Sequence, residues 1–148
     1  MLFVFATKAQ EIVHFEDIED KIEQDIDDLD QTYISGVNPQ PGQSYVFEGR
    51  EKEFNKHFRE MFLAISTFLS ESGFKWEAPS PALIRVYFDE HGKLDYLIYQ
   101  FKDQLSPSKQ RDFEFLLKGF FEHYTFPVKP YAKFAQIMPA KFVDAKPE

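Results

Sequence analysis

The chain has 148 residues, a formal net charge of −8 and no cysteine, so it has the size of one domain without disulfides, thiolate metal sites or a cysteine nucleophile. Residues 11–30 contain ten carboxylates and a single lysine, so this segment carries −9 and the rest of the chain +1. Such acidity repels a phosphate backbone, and no run approaches 18 apolar residues, so the sequence disfavours nucleic-acid binding and a membrane span.

The first residues, MLFVFATKAQ, permit two interpretations. An apolar start followed by Thr7–Gln10 resembles the cleavage region of a secretory signal, which makes residues 1–9 a signal-peptide remnant and the protein periplasmic or otherwise exported. The basic region of a signal is missing and the apolar run is short, so a first strand at Leu2–Phe5 in a cytoplasmic protein is the alternative. We expect a single domain over residues 10–143 and a loose tail at residues 144–148.

Apolar residues then recur at steps of three and four from Glu11 to Leu29, which predicts an amphipathic helix. Its other faces are almost entirely carboxylate, and like charges at i,i+4 weaken an isolated helix. We therefore expect this acidic helix to dock through its apolar stripe. The stripe consists of Ile12, Phe15, Ile18, Ile22, Ile26 and Leu29.

Residues 51–72 show the strongest helical pattern, and Gly73 follows as a natural stop. The stripe consists of Phe54, Phe58, Met61, Phe62, Ile65, Phe68 and Leu69. Burying one such side chain contributes about 1.5–3 kcal/mol, so this helix is expected to be a principal core element. The chain contains 18 Phe, 7 Tyr and 1 Trp, which indicates a core packed largely from rings.

Two strands are predicted at residues 82–89 and 94–101, joined by a three-residue loop with a bulge at Gly92. The predicted pairs are Phe88 with Leu94, Val86 with Tyr96, and Ile84 with Ile98. This register makes one face wholly apolar, whereas a slip by one residue would bury an acid. The opposite, mixed face would then carry Leu83, Arg85, Tyr87, Asp95, Leu97, Tyr99 and Phe101.

A last helix is predicted at residues 107–124, with Ser106 as N-cap, and a third strand at residues 131–138. Phe115 and Phe121 lie off the inward stripe of that helix, so it is expected to contact something on a second side.

The elements together predict an α+β fold with a small antiparallel sheet. The sheet would consist of the hairpin and the third strand, packed on the helices at about 51–72 and 107–124, with the acidic helix at the N-terminus.

Motifs that carry chemistry are missing from the sequence. The four histidines have no metal-ligand spacing, and no nucleophile elbow, phosphate loop or zinc-protease motif occurs. The acidic stretch lacks the geometry of a calcium loop. We therefore expect no enzyme activity, no cofactor and no metal.

The order of strand, DEHGK turn, strand, helix, FP exit and a last strand ending in MPAKF resembles the C-terminal domain of TonB-type energy transducers. The matching positions are Val86, Phe88, Asp89, Gly92, Lys93, Phe126, Pro127, Pro139 and Phe142. The resemblance covers residues 81–142 and implies protein binding, with the last strand or its edge accepting a partner strand. The 148 residues show neither the membrane anchor nor the Pro-rich spacer of that family, and the N-terminal half has no counterpart, so we expect a stand-alone relative of the module.

The sequence therefore favours a non-catalytic protein-binding module, exported, whose partner engages a sheet edge or the mixed hairpin face. The candidate partner-binding residues are Arg85, Tyr87, Leu97, Tyr99 and Phe101. Two alternatives are an acidic inhibitor or immunity-type protein that caps a basic enzyme, and a binder of a small apolar ligand. Whether the N-terminal half or a partner covers the mixed face stays open at this point, as do the partner's identity and the oligomeric state.

Overall fold

The computed structural model describes residues 10–22, 24–37 and 41–144 as helices and a five-stranded mixed sheet, which confirms the α+β class. The strands are β1 (Glu11–His14), β2 (Ile34–Ser35), β3 (Ser80–Phe88), β4 (Leu94–Phe101) and β5 (Phe134–Phe142). The helices are α1 (Ile18–Lys21), α2 (Ile26–Thr32), α3 (Glu51–Glu71) and α4 (Pro107–Glu122). The interpretations of residues 1–9 fall outside the described residues.

The sheet is larger than predicted, and it is not purely antiparallel. Its strand order is β1-β4-β3-β5-β2, with β3 antiparallel to both β4 and β5. The two edge strands run parallel to their neighbours, β1 to β4 and β2 to β5. Both edge strands come from the N-terminal segment, so this segment extends the sheet at both sides.

The prediction of one acidic helix from Glu11 to Leu29 is wrong. The segment begins as strand β1, continues through a 3-10 turn at Phe15–Asp17 into α1, and forms α2 after a break. Ile12 and Val13 are both buried, on opposite faces of the sheet, which is the alternation of a strand. Backbone pairing with β4 thus overrides a helical pattern that its own like charges weaken.

Helices α3 and α4 pack on one face of the sheet, as predicted, and form the main core with it. The buried residues of α3 follow the predicted stripe, and Ser106 caps α4 by accepting a hydrogen bond from the Lys109 backbone N–H at 3.3 Å. At the centre lies Phe134, which is fully buried. Of the two rings off the α4 stripe, Phe121 is buried in this core, whereas Phe115 is 77% exposed.

The hairpin turn forms as predicted, but its register changes inside the strands. Gly92 has a φ of 81°, the Asp89 N–H donates to the Lys93 carbonyl at 2.8 Å, and Phe88 pairs with Leu94. The next pair is Tyr87 with Tyr96, so Asp95 is the extra residue of a β-bulge. The bulge shifts every later pair by one: Val86 pairs with Leu97, and Ile84 with Tyr99. The predicted pairs Val86 with Tyr96 and Ile84 with Ile98 are therefore wrong.

The third strand is β5, Phe134–Phe142, and not residues 131–138. Pro139 lies inside it, opposite Leu83. The carbonyls of Lys133 and Ala135 accept hydrogen bonds from the β2 side, so alternate residues of β5 direct their backbone groups to that outer edge. Pro139 shares this parity, and its missing N–H therefore removes no bond to β3.

The chain just after β5 is attached to the segment before β3 by hydrogen bonds. The Asp144 carboxylate accepts hydrogen bonds from the backbone N–H of Trp76 at 2.7 Å and of Glu77 at 2.9 Å, and these bonds lower its pKa. Asp144, the first residue of the predicted tail, is therefore attached to the segment before β3, and residues 145–148 lie outside the described part of the chain. Within the described ranges, no helix is long and apolar enough to cross a membrane.

Candidate binding site on the second sheet face

The face of the sheet opposite α3 and α4, here called the second face, is covered at one end by the N-terminal segment. Leu29 of α2 and Ile18 of α1 pack there on Tyr87 and Ile98 of the hairpin. The complete buried cluster is Val13, Ile18, Ile22, Leu29, Tyr33, Tyr87 and Ile98. The chain itself thus covers the half of the second face that lies near the hairpin turn.

Two tyrosine hydroxyls tie this cover to the sheet through carboxylates. The Tyr33 hydroxyl donates to Asp95 Oδ2, in the bulge, at 2.6 Å, and both residues are buried. The Tyr87 hydroxyl donates to Asp30 Oδ1 of α2 at 3.1 Å. Arg85 Nη1 lies 4.0 Å from Asp30 Oδ2. The cover is therefore attached at fixed points and not by apolar contact alone.

Burial and these carboxylates hold both tyrosines in the protonated form. Burial is the main cause that raises the pKa of Tyr33, and the hydrogen bond to Asp95 raises it further. Burial followed by the negative charge of Asp30 raises the pKa of Tyr87 to about 12. Both hydroxyls are therefore hydrogen-bond donors at neutral pH rather than nucleophiles or bases.

The other half of the second face is uncovered by any described residue, and we call it the open strip. It consists of Leu83, Arg85, Gln100, Ile137 and Pro139, which are neighbours across three strands. Leu83, on the central strand β3, is 42% exposed, and Ile137, on the neighbouring strand β5, is 45% exposed, although both are large apolar residues. The strip therefore offers an apolar centre to solvent.

Two hollows lie along the open strip. The larger, of about 550 Å³, lies where α2 ends and the strip begins. Its lining residues are Asp30, Tyr33, Ser35, Val37, Gln43, Arg85, Tyr87, Ala135, Gln136 and Ile137. The second, of about 350 Å³, lies at the far end, between Leu83, Pro139 and Lys102. Both are open grooves on the face away from the Phe-rich helices.

The five predicted partner-binding residues divide between the two faces. Arg85 and Tyr87 lie on the second face, where Arg85 is partly exposed and Tyr87 is buried under the cover. Leu97, Tyr99 and Phe101 were predicted for this face, but they are buried in the main core. The bulge at Asp95 moves them to the opposite face.

Tyr99 makes its own polar contact away from the strip. Its hydroxyl donates to Glu114 Oε1 of α4 at 2.5 Å, and burial followed by this bond raises its pKa. Lys21, the lysine of the acidic segment, lies 3.9 Å from Glu114 Oε2. This group attaches α1 to α4 and explains Tyr99 as a structural residue.

Leu83, Gln100, Ile137 and Pro139 were not among the predicted site residues. Leu83 was placed correctly on the second face, and the alternation Ile137, Pro139, Lys141 is the signal that would have found the β5 part. That signal was obscured because the predicted strand ended before Pro139.

The outer edge of β5 is the other predicted docking element. Within the described residues, β2 pairs only with Phe134 and Ala135, so the edge continues without a strand beside it from Gln136 onward. Pro139 offers no N–H there, and Lys141 adds a charge next to it. Both features are typical of edges that resist strand addition.

Among the described residues, no three His, Asp or Glu side chains are grouped so as to hold a metal ion. No protein-family model matches the chain, and searches of curated proteins and of solved structures each found no match.

Proposed function

We propose that the chain is a non-catalytic protein-binding module whose partner docks on the open strip. The observation that carries this proposal is the exposure of two large apolar side chains on neighbouring strands, Leu83 of β3 at 42% and Ile137 of β5 at 45%. Arg85 stands beside them, and arginine is enriched among residues that dominate binding energy at interfaces. An apolar centre with a charged rim has the composition of a protein-binding surface.

The open strip supports side-chain docking better than strand addition at the β5 edge. A partner strand on that edge would find no donor at Pro139, so one of its carbonyls would lose a hydrogen bond. Packing on the strip needs no backbone pairing. The resemblance to the TonB-type module is also a proposal. It is supported by the order β3, β4, α4, β5, and it would place the partner at the same last strand.

Site-specific photo-crosslinking in the native host tests the docking surface. A photoreactive amino acid in place of Ile137 is expected to give a discrete adduct, because its ring would lie inside the contact. Leu63 on α3 is the matched control, since it is apolar and 63% exposed but lies on a helix of the other layer. Equal adducts at the two positions, or none at either, would contradict a binding site on the strip.

The acidic inhibitor remains the second candidate, because Asp27, Asp28 and Asp30 on α2 are exposed to solvent. A photoreactive residue at Asp27 in the same experiment separates the two functions. Capture of a basic enzyme at Asp27, with no adduct at Ile137, would favour the inhibitor.

We also propose that the protein is exported and that the mature chain begins at Gln10. The support is the small-residue stretch Thr7–Gln10 after an apolar start. Cell fractionation followed by intact-mass measurement is expected to find the native protein outside the cytoplasm and without its first nine residues. A cytoplasmic protein that retains Leu2 would refute export.

A further inference from the structure

We infer that the open strip is filled by a second copy of this chain, in a two-fold symmetric dimer in which α2 of each copy lies in the strip of the other. This inference rests on the proposed function, because it takes the strip to be a binding surface and names its occupant. It follows from the shape and the charge of two neighbouring parts of one face.

The first part is a ridge formed by α2. Leu29 is fully buried against the sheet, and Asp27 and Gln31, two residues before and after it, lie about 200° around the helix, at the crest of the ridge. Asp28 and Asp30 flank the crest. The ridge contains four carboxylates, with Asp25 at its N-cap, and no basic residue. It is therefore a raised, negatively charged surface that stands above the second face.

The second part is the open strip, which is lower than the ridge and has basic residues at its rim. Arg85 lies at the end next to α2, while Lys102 and Lys141 are exposed at the far end. Asp103 follows Lys102 in the loop beyond β4. The centre between these cations is the apolar surface of Leu83, Ile137 and Pro139. The acidic ridge is complementary to this basic rim in charge, and the raised ridge fits the lower strip in shape.

Ridge and strip lie side by side on one face, which is what a self-complementary surface requires. A two-fold axis that lies in the contact plane, along the boundary between ridge and strip, places a second copy face to face with the first. The 180° rotation also exchanges the ridge side with the strip side. The ridge of each copy then lies in the strip of the other, and the contact occurs twice. A foreign partner that fills only the strip would leave the negative charge of the adjacent ridge unmatched.

Charge reversal on each half gives a test with an internal rescue. The ridge variant is Asp27→Lys with Gln31→Lys, and the strip variant is Lys102→Glu with Lys141→Glu. In a dimer of either variant alone, ridge and strip carry charges of the same sign at both of the symmetric contacts. The dimer dissociation constant of each variant is therefore expected to rise by about tenfold or more. In an equimolar mixture, the lysine ridge meets the glutamate strip and the remaining pair is native. The mixture is therefore expected to recover the dimer.

Sedimentation velocity over a range of protein concentrations, at low and high salt, measures these states. The wild type is expected to dimerise, more weakly at high salt. Ile137→Asp is expected to be monomeric, and the control Leu63→Asp to remain dimeric. Circular dichroism of each variant verifies that it is folded.

Three results would overturn the inference: a wild type that is monomeric up to high concentration, a dimer that survives Ile137→Asp, and a mixture that stays monomeric. The photo-crosslinks distinguish the two proposals. A homotypic adduct at Ile137 supports both, whereas an adduct of another protein at Ile137 with a monomeric wild type refutes the dimer and leaves the proposed function standing. A monomer with no specific adduct refutes both.

Discussion

Phe134→Ala is expected to lower the free energy of unfolding by about 3–5 kcal/mol, a large part of the roughly 5–15 kcal/mol that stabilises a typical domain. Phe134 is fully buried in the main core, where β5 meets β3, α3 and the segments before α3 and after α4. Four rings surround it: Phe47 at 4.9 Å, Phe88 at 5.1 Å, Phe126 at 5.6 Å and Phe54 at 6.1 Å between centroids. The substitution leaves a cavity between these rings. Because the rings belong to several elements, they cannot fill the cavity unless those elements move.

Urea unfolding followed by circular dichroism measures this loss, provided that the slope with denaturant is unchanged. Phe115→Ala is the matched control, because the same substitution at a side chain that is 77% exposed is expected to change stability by less than about 0.5 kcal/mol. Similar losses for the two variants would show that Phe134 is not at the centre of the core.

Tyr33→Phe is expected to destabilise the protein by about 1–3 kcal/mol at neutral pH. The substitution removes the hydroxyl that donates to Asp95 at 2.6 Å, while the carboxylate remains buried in the bulge with one donor fewer. It also loosens the cover, because Tyr33 joins α2 to the hairpin. Tyr131→Phe is the control: this ring is 65% exposed, and its hydroxyl makes only a 3.5 Å contact.

Tyr33→Phe is also expected to change how the free energy of unfolding depends on pH in the alkaline range. Because the pKa of Tyr33 is raised in the folded state, its contribution is fully present below the unfolded pKa of about 10 and is lost as the pH rises above that value. The wild type therefore loses stability above about pH 10. The free energy of unfolding of Tyr33→Phe is expected to fall less steeply with pH than that of the wild type. The difference between the two slopes is expected to be up to about 1.4 kcal/mol per pH unit. Denaturant unfolding at several pH values between 9 and 11 measures this difference. If the free energy of unfolding falls with pH as steeply in Tyr33→Phe as in the wild type, the buried Tyr33–Asp95 bond is contradicted.

Local patterns in the sequence determined the elements of the main core. The apolar stripe of α3 and the Ser106-Pro107 start of α4 are periodic or capping signals that act within one segment, and both helices are where these signals place them. The turn at Gly92 is of the same kind, because the loop needs a positive φ that glycine supplies without strain. The ring-rich composition likewise indicated the ring-packed core.

Only the tertiary structure decided the faces of the sheet and the fate of the N-terminal segment. The bulge at Asp95 is stabilised by Tyr33, which lies 62 residues away in the sequence, so no pattern within the hairpin could show it. One extra residue then moved Leu97, Tyr99 and Phe101 from the second face to the core. The start of the acidic segment forms strand β1 because β4 offers a backbone edge, which is a non-local interaction. The candidate site follows from both events, since the open strip is the part of the second face that this segment does not cover.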